Sequence, residues 1–337
     1  MGLETELKKG TVLSGMRPTD KNLHIGHVEG VLRNWIELQN KYNPYYFVAD
    51  WHALTTNLNS RNIKENTVGM VRDWLATGVD PKKSTIFIQS QIPEHAELHL
   101  ALSMLAGVTR LERLPNYKEL LRELNLRETC SYGFLGYPVL MAGDILLYKG
   151  NKIPVGEDQV SHVELTREIA KKFNNTYGEL FPIPEVLLSQ TPRILGVDGR
   201  KMSKSYGNAI YPTDEKDVLQ KKIMRMVTDP ARKRIKDPGD PNKCSVFDLH
   251  LIYNNENNIN NIIKSCTNAE IGCKECKNLL PEIIYKEYSD FRERRLELEK
   301  DPKKLKDVLK QGTLKARQVA SDTIKEVKKY MLIDHFQ

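Results

Sequence analysis

Four features of this 337-residue chain combine residue types and spacings that can do chemistry. In PTDKNLHIGH (18–27), His24 and His27 flank Gly26 where a helical run begins. A helix N-terminus offers unpaired backbone N–H groups and a positive dipole end to anions; imidazoles add directional donors, and a residue without Cβ lets a flat base approach. Taken alone, the pair is equally a metal half-site. In KMSKS, Lys201, Met202, Ser203, Lys204 and Ser205 lie between Gly199 and Gly207. Two cations and two hydroxyls on a loop with pliant ends can close over phosphates and stabilise charge on a leaving pyrophosphate. Cys244, Cys266, Cys273 and Cys276 follow as C-x21-C-x6-C-x2-C, a set that suits Zn²⁺ or an iron–sulfur cluster. The fourth feature is a single residue. Asp144 sits in YPVLMAGDILLYKG, a run otherwise apolar or aromatic, and an unpaired charge withdrawn from water is costly.

The elements that must position these residues alternate. GTVLSGM (10–16), YYFVADW (45–51) and STIFIQS (84–90) read as buried strands, and helical runs such as HIGHVEGVLRNWIELQNKY and KENTVGMVRDWLATG separate them. This rhythm predicts parallel βαβ units in a Rossmann-like α/β sheet, with ligands beyond the strand ends at SGMRP and ADWHALT. Neither a P-loop nor a dinucleotide glycine signature occurs near the first strand. TREIAKKFNNTYGELF predicts a helix ending near Gly178, and PRILGVDGRKMSKSYGNAIYP a strand or hairpin leading into a glycine-bearing loop. From Asp214 the chain reads as helical and basic, broken by DPARKRIKDPGDPNK and by YNNENNINN, which reads as a polar loop. The expected division is 1–212 as a Rossmann-like catalytic domain and 213–337 as a helical domain.

Composition bounds the reading. With 40% hydrophobic and 28% charged residues the chain suits a soluble globular protein, and no apolar run approaches the roughly 20 residues of a membrane span. The opening MGLETELKKG has no signal-peptide apolar region, so the expected location is cytoplasmic, with no membrane partner. A formal charge of +7 agrees with a nucleic-acid partner without requiring one. In a reducing compartment, four cysteines so close together suggest metal more than disulfides; Cys130 stands alone.

Together, a His-Ile-Gly-His element after the first strand and KMSKS after the last resemble the paired signature of class I aminoacyl-tRNA synthetases. LSGMRPT, YPVLMAGDILLY, IPVGEDQVSHVELTREIAKKFN and RILG make residues 11–212 similar to the tryptophanyl branch of that family. The resemblance implies activation of L-tryptophan with ATP and Mg²⁺ to the adenylate and pyrophosphate, then transfer to tRNA(Trp), by a homodimer. It implies that Asp144 accepts the indole N–H, with Tyr137, Met141 and Val155 as apolar walls. Gln159 would lie near the amino and carboxylate end, and Ser14 at the floor of the first loop. Arg17, Pro18, Thr19, His24, Gly26 and His27 would touch ATP, Gly156, Glu157, Asp158 and Ile194 would line its nucleotide side, and Lys201 to Ser205 the triphosphate. His24, His27, Lys201 and Lys204 would be the catalytic set. A subset of the branch carries four cysteines as C-x22-C-x6-C-x2-C around a 4Fe–4S cluster in the anticodon-binding domain. The resemblance therefore implies that cluster here, with Zn²⁺ as the alternative. Arg17 stands where many relatives have Gln, AGD replaces the frequent AAD, and Trp51, expected in the core, replaces a usual Gln.

An indole offers one donor on a large apolar body, so its pocket needs one acceptor and much hydrocarbon. The rival readings are a tyrosyl enzyme, a silent RNA-binding paralogue and an adenylyl transferase. LMAGD with GEDQ argues against the first, intact motifs against the second, and the basic helical segment against the third.

Overall fold

The computed structural model describes residues 10–123, 130–188 and 194–335; Arg193 of RILG lies outside them. β1 (Thr11–Met16) runs through the middle of the sheet. Its successive side chains point to opposite faces, so Val12 joins one hydrophobic cluster and Leu13 the other. α1 (Ile25–His27), a π-helical turn (Val28–Leu32) and α2 (Arg33–Lys41) then run on as one helix. β2 (Asn43–Val48), α3 (Asp50–Thr56), α4 (Ile63–Thr77) and β3 (Thr85–Ile88) complete the first βαβ units. α5 (Glu94–Ser103), α6 (Val108–Glu112), α7 (Pro115–Glu123) and α8 (Tyr132–Leu147) lead to β4 (Lys152–Val155), α9 (Val160–Tyr177) and β5 (Glu185–Leu188). The sheet order is β3-β2-β1-β4-β5, every pair parallel. Strand order reverses between β1 and β4, where the crevice of an open parallel sheet receives its ligand.

Three strands and the helix ending before Gly178 fall where the pattern placed them. β2 stops at Val48, however, and Asp50 and Trp51 open α3. The Asp50 carboxylate accepts from the backbone N–H groups of Trp51 (3.1 Å) and Ser90 (3.0 Å), a local alternative to the ladder. Trp51 is half-buried and belongs to neither hydrophobic cluster, contrary to its expected place in the core. β4 and β5 escaped the pattern. Each is four residues long, and Lys152, Pro154 and Glu185 interrupt their apolar signal.

The remainder is helical, as its composition implied: α10 (Lys216–Arg225), α11 (Ser245–Tyr253), α12 (Glu256–Thr267), α13 (Cys273–Asn278), α14 (Leu280–Glu287), α15 (Ser289–Lys300) and α16 (Pro302–Tyr330). YNNENNINN is not a loop. The Asn255 side chain caps α12 by accepting from Asn258 N–H (2.9 Å), and Ile259, Ile262 and Ile263 supply helical spacing, with Ile262 buried. α16 returns to the sheet. Gly312 lies so close to β3 that a Cβ there would overlap the Ile86 carbonyl, and Ala316, Ala320, Ile324 and Val327 join the sheet's second cluster. Among the described residues, no helix is long and apolar enough to cross a membrane.

One face of α4 holds the loop that carries the first motif. Asn66 donates to Pro18 O (3.0 Å), Gly69 leaves room for Lys21 O where any Cβ would collide, and buried Asp73 accepts from Leu23 N–H (2.8 Å). These positions share a face by helical spacing. Arg295 of α15 closes the arrangement, donating to Asp73 (2.8 Å) and Asn22 (2.9 Å). The helical segment thereby touches the base of the histidine loop directly.

Candidate active site

A cavity of ≈ 420 Å³ opens beyond the carboxyl ends of β1 and β4. All six residues expected to contact the amino acid line it: Ser14, Tyr137, Met141, Asp144, Val155 and Gln159. On α8, Tyr137, Met141 and Asp144 follow at i, i+4 and i+7, which puts them on one face. α8 is apolar nearly all round and twelve of its residues are buried, so this face is a wall and not a surface.

Asp144 is 1% exposed. Its Oδ1 accepts from His95 Nδ1 (2.7 Å) and Gln89 Nε2 (2.8 Å), and its Oδ2 from His52 Nε2 (2.8 Å) and Gln89 Nε2 (3.0 Å). Burial by itself would raise this carboxyl, but hydrogen bonds from His52 and His95 outweigh it and hold the pKa down to about 2. The acid is therefore ionised and aimed. Of its three protein donors only His52 also lines the cavity. His95 passes the chain on, its Nε2 lying 2.9 Å from the buried Tyr148 hydroxyl. Gln89 and His95 come from the segment after β3, and no local spacing announced them; Tyr148 closes α8 one turn after Asp144. His52 lay in ADWHALT, beyond β2, where a site was expected.

Tyr137 departs from its expected role as a purely apolar wall. Its hydroxyl lies 3.0 Å from His162 Nε2, and His162 Nδ1 lies 2.7 Å from Gln159 Oε1. His162 lines the cavity as well. The available signal was its position three residues after Gln159, one helical turn on.

The two phosphate motifs meet at the other border of the crevice. Arg17, Thr19, His27 and Gly156 line the cavity itself. His24 and His27 stack with ring centroids 3.7 Å apart. Burial lowers both, His24 to about 4 and His27 to about 3, so both are neutral imidazoles at ordinary pH. The Nδ1 atom of each is buried without a hydrogen-bond partner, a polar group that a bound ligand can satisfy. Lys201 is near enough to act electrostatically on both rings, and a Cβ on Gly26 would lie 3.8 Å from Met202. Lys204 reaches across to Asp20 Oδ1 (2.8 Å) in the loop before His24.

The base of KMSKS is an antiparallel bridge, Leu195 to Lys201, which is the expected hairpin. Buried Asn208 ties it together: Oδ1 accepts from Ser203 N–H (2.8 Å) while Nδ2 donates to Asp198 (2.7 Å) and Lys201 O (3.1 Å). Sequence reasoning singled out neither Asp20 nor Asn208. Ile194 and Met202 are buried in the first hydrophobic cluster, whereas Glu157, Asp158, Lys204 and Ser205 are exposed at the rim.

The four cysteines also converge. Cys276 is pushed up to about 12, first by burial and then by Cys244, Cys266 and Cys273. Arg232 Nη1 lies 3.9 Å from Cys266 Sγ and 3.8 Å from Cys273 Sγ, and its Nε is buried without a partner. His250 Nε2 is 3.3 Å from Cys276 Sγ, and a Cβ on Gly239 would lie 2.6 Å from Cys266 Sγ. Among the described residues, no three His, Cys, Asp or Glu side chains stand together as ligands of one metal ion.

Comparison with known proteins agrees with this fold. The family described as tRNA synthetases class I (W and Y) matches residues 5–289. The tryptophan–tRNA ligase of Thermotoga maritima is 50% identical over 323 residues, covering 95% of this chain and 98% of that protein. The corresponding ligase of Aquifex aeolicus is 41% identical, covering 95% and 99%. A crystal structure of tryptophanyl-tRNA synthetase from Campylobacter jejuni, complexed with ADP and tryptophan, superposes with a TM-score of 0.82 at 33% identity, covering 95% and 99%. The tyrosyl-tRNA synthetase of Archaeoglobus fulgidus, at 19% identity and a TM-score of 0.68, shares the fold. By sequence and by structure, the chain belongs to the class I tRNA synthetases of the W and Y family, among the tryptophan–tRNA ligases.

Proposed function

We propose that the protein activates L-tryptophan with ATP, giving tryptophanyl-adenylate and pyrophosphate, and then transfers tryptophan to tRNA(Trp). The observation that carries this is Asp144, an ionised carboxylate on the cavity wall beside Tyr137, Met141 and Val155, whose one cavity-facing neighbour among its donors is His52. A site built to hydrogen-bond a ring N–H rejects a side chain that lacks one, because the acceptor is then left unpaired. Neither chemical step needs an enzyme nucleophile, so positioning and electrostatics supply the rate. His24, His27, Lys201 and Lys204 serve the triphosphate, with Arg17, Pro18, Thr19, Gly26, Met202, Ser203 and Ser205 around it. Gly156, Glu157, Asp158 and Ile194 lie on the nucleotide side. Mg²⁺ arrives with ATP.

Pyrophosphate exchange into ATP, measured with each amino acid in turn, tests the reading. Exchange is expected with tryptophan alone. Equal exchange with tyrosine overturns the pocket assignment, and none with any amino acid points to a silent RNA-binding protein.

The anticodon side of the reading rests on residues 213–337. α16 exposes Lys303, Lys304, Lys306, Lys310 and Lys315 over its first half, and such cations bind phosphate backbones. Leu100, Met104, Val108 and Tyr132 are exposed apolar groups on and around α5, α6 and α8, which supports the homodimer. Its substrates place its work in the cytoplasm.

Cys244, Cys266, Cys273 and Cys276 are proposed to hold a 4Fe–4S cluster. Their convergence, the Arg232 cation beside two of the sulfurs, and the gap that Gly239 leaves for Cys266 fit a bound group of negative charge. The cluster has no electron-transfer partner in this chemistry, so its part is to hold α12, α13 and the start of α11 together. Protein purified without oxygen is expected to be brown, with about four iron and four sulfide per chain. Cys276→Ser is expected to lose both and melt at lower temperature. A colourless protein carrying zinc refutes iron.

A further inference from the structure

We propose that His162 is a positioning residue that sets Tyr137 and Gln159 as acceptors for the α-ammonium of the amino acid. The inference rests on the tryptophan-activating reading and deepens it.

The argument is one of hydrogen-bond direction. His162 is 1% exposed, and burial together with His52 lowers it to about 4, so at working pH the ring has one donor nitrogen and one acceptor. Nδ1 lies 2.7 Å from Gln159 Oε1, which has no proton to give; Nδ1 therefore carries the ring proton. The Gln159 amide is oriented independently, since its Nε2 lies 3.1 Å from Asp158 Oδ2. Nε2 of His162 is then the acceptor, and the Tyr137 hydroxyl 3.0 Å away must donate to it. The chain thus runs one way, from Tyr137 through His162 and Gln159 to Asp158.

The consequence appears at the cavity, which Tyr137, Gln159 and His162 all line. With its proton turned toward His162, the Tyr137 oxygen offers lone pairs to the cavity. Gln159 Oε1 keeps a second lone pair. An α-ammonium has three donors and no acceptor, so two fixed acceptors suit it; a freely turning hydroxyl would present a proton part of the time. Arg17, an exposed cation on the same wall, suits the carboxylate beside it.

The test compares wild type with His162→Asn, whose shorter side chain cannot bridge both partners. Inhibitors of tryptophan-dependent exchange separate the two ends of the substrate: tryptamine has the ammonium without the carboxylate, and indole-3-propionate the reverse. The expected result is a rise of about 10- to 100-fold in the KM for tryptophan and the Ki of tryptamine, the scale of one lost hydrogen bond to a charged group. Inhibition by indole-3-propionate and the KM for ATP should not change. Tyr137→Phe should show the same split, and the double variant should cost no more than the worse single one. Should His162→Asn not fold, His162→Leu, which keeps the bulk and removes both hydrogen bonds, is read by the same inhibitor split. Equal weakening of indole-3-propionate, which a collapsed pocket would give, overturns the proposal, as does unchanged tryptamine inhibition. Wild-type protein without tryptophan-dependent exchange would instead sink the functional reading, which the inhibitor pattern of the variants does not touch.

Discussion

Asp144→Asn is expected to lower kcat/KM for tryptophan about 10³-fold or more, while the KM for ATP stays within a factor of about two. The size follows from the hydrogen-bond inventory around the side chain. Four contacts converge on the two carboxylate oxygens, from His95, His52 and a Gln89 amide that spans both. Asparagine keeps one oxygen and places an NH₂ where the other stood, so a donor faces a donor at His52 or at His95. An unpaired buried group costs about 1–3 kcal/mol in each state. The indole N–H also loses an ionised acceptor. Phenylalanine, which never used that acceptor, should lose far less, so discrimination should fall with rate.

The pH dependence separates this from a general weakening. The folded-state pKa of Asp144, about 2, lies below its ordinary value of 3.8. Its stabilising contribution is therefore present above the carboxylate range and is lost only as pH falls through about 2. Between about pH 5 and 8 the ratio of wild-type to Asp144→Asn activity should be flat. A ratio that changes across that window would show that another group controls tryptophan binding.

Lys204→Ala is expected to lower kcat for adenylate formation about 10²- to 10³-fold, the range of removing one preorganised donor from developing charge. Tryptophan binding measured without ATP should be unchanged. Lys204 rests on Asp20 at 2.8 Å, with 62% of its side chain exposed. An ion pair so exposed adds at most about 1 kcal/mol to stability, so the melting temperature should barely move. Loss of rate without loss of fold is the signature of a cation that leaves Asp20 for the triphosphate when the loop closes. Gly199 (φ 77°) and Gly207 (φ 62°) flank it in left-handed conformations, while Asn208 anchors its base. A large fall in melting temperature with kcat intact would reverse the assignment.

The sequence alone was enough for the features that local chemistry carries. KMSKS and His-Ile-Gly-His are contiguous, so residue types and spacing announce them without a fold. Asp144 was conspicuous because a charge in an apolar run violates the helix's own pattern. Tyr137, Met141 and Asp144 share a face by helical periodicity. β1, β2 and β3 were legible because adjacent apolar or aromatic residues mark each of them, Val12 and Leu13, residues 45–48, and residues 86–88, and the basic helical segment after Asp214 because its composition shifts.

Tertiary structure decided what depends on distant partners. β4 and β5 exist because β1 and then β4 complete their hydrogen bonds; Pro154 divides the apolar run of β4, and nothing local announced β5. α12 formed where asparagines suggested a loop, since one capping side chain and three isoleucines outweighed weak local propensity. Gln89, His95 and His52 reach Asp144 from 49 to 92 positions away, and Asp20 meets Lys204 across 184 positions of chain. A carboxylate's environment, and hence whether it is an indole acceptor or a surface acid, is set by whatever the fold brings within about 3 Å of it. Periodicity reports which way a side chain points, but not what it meets there.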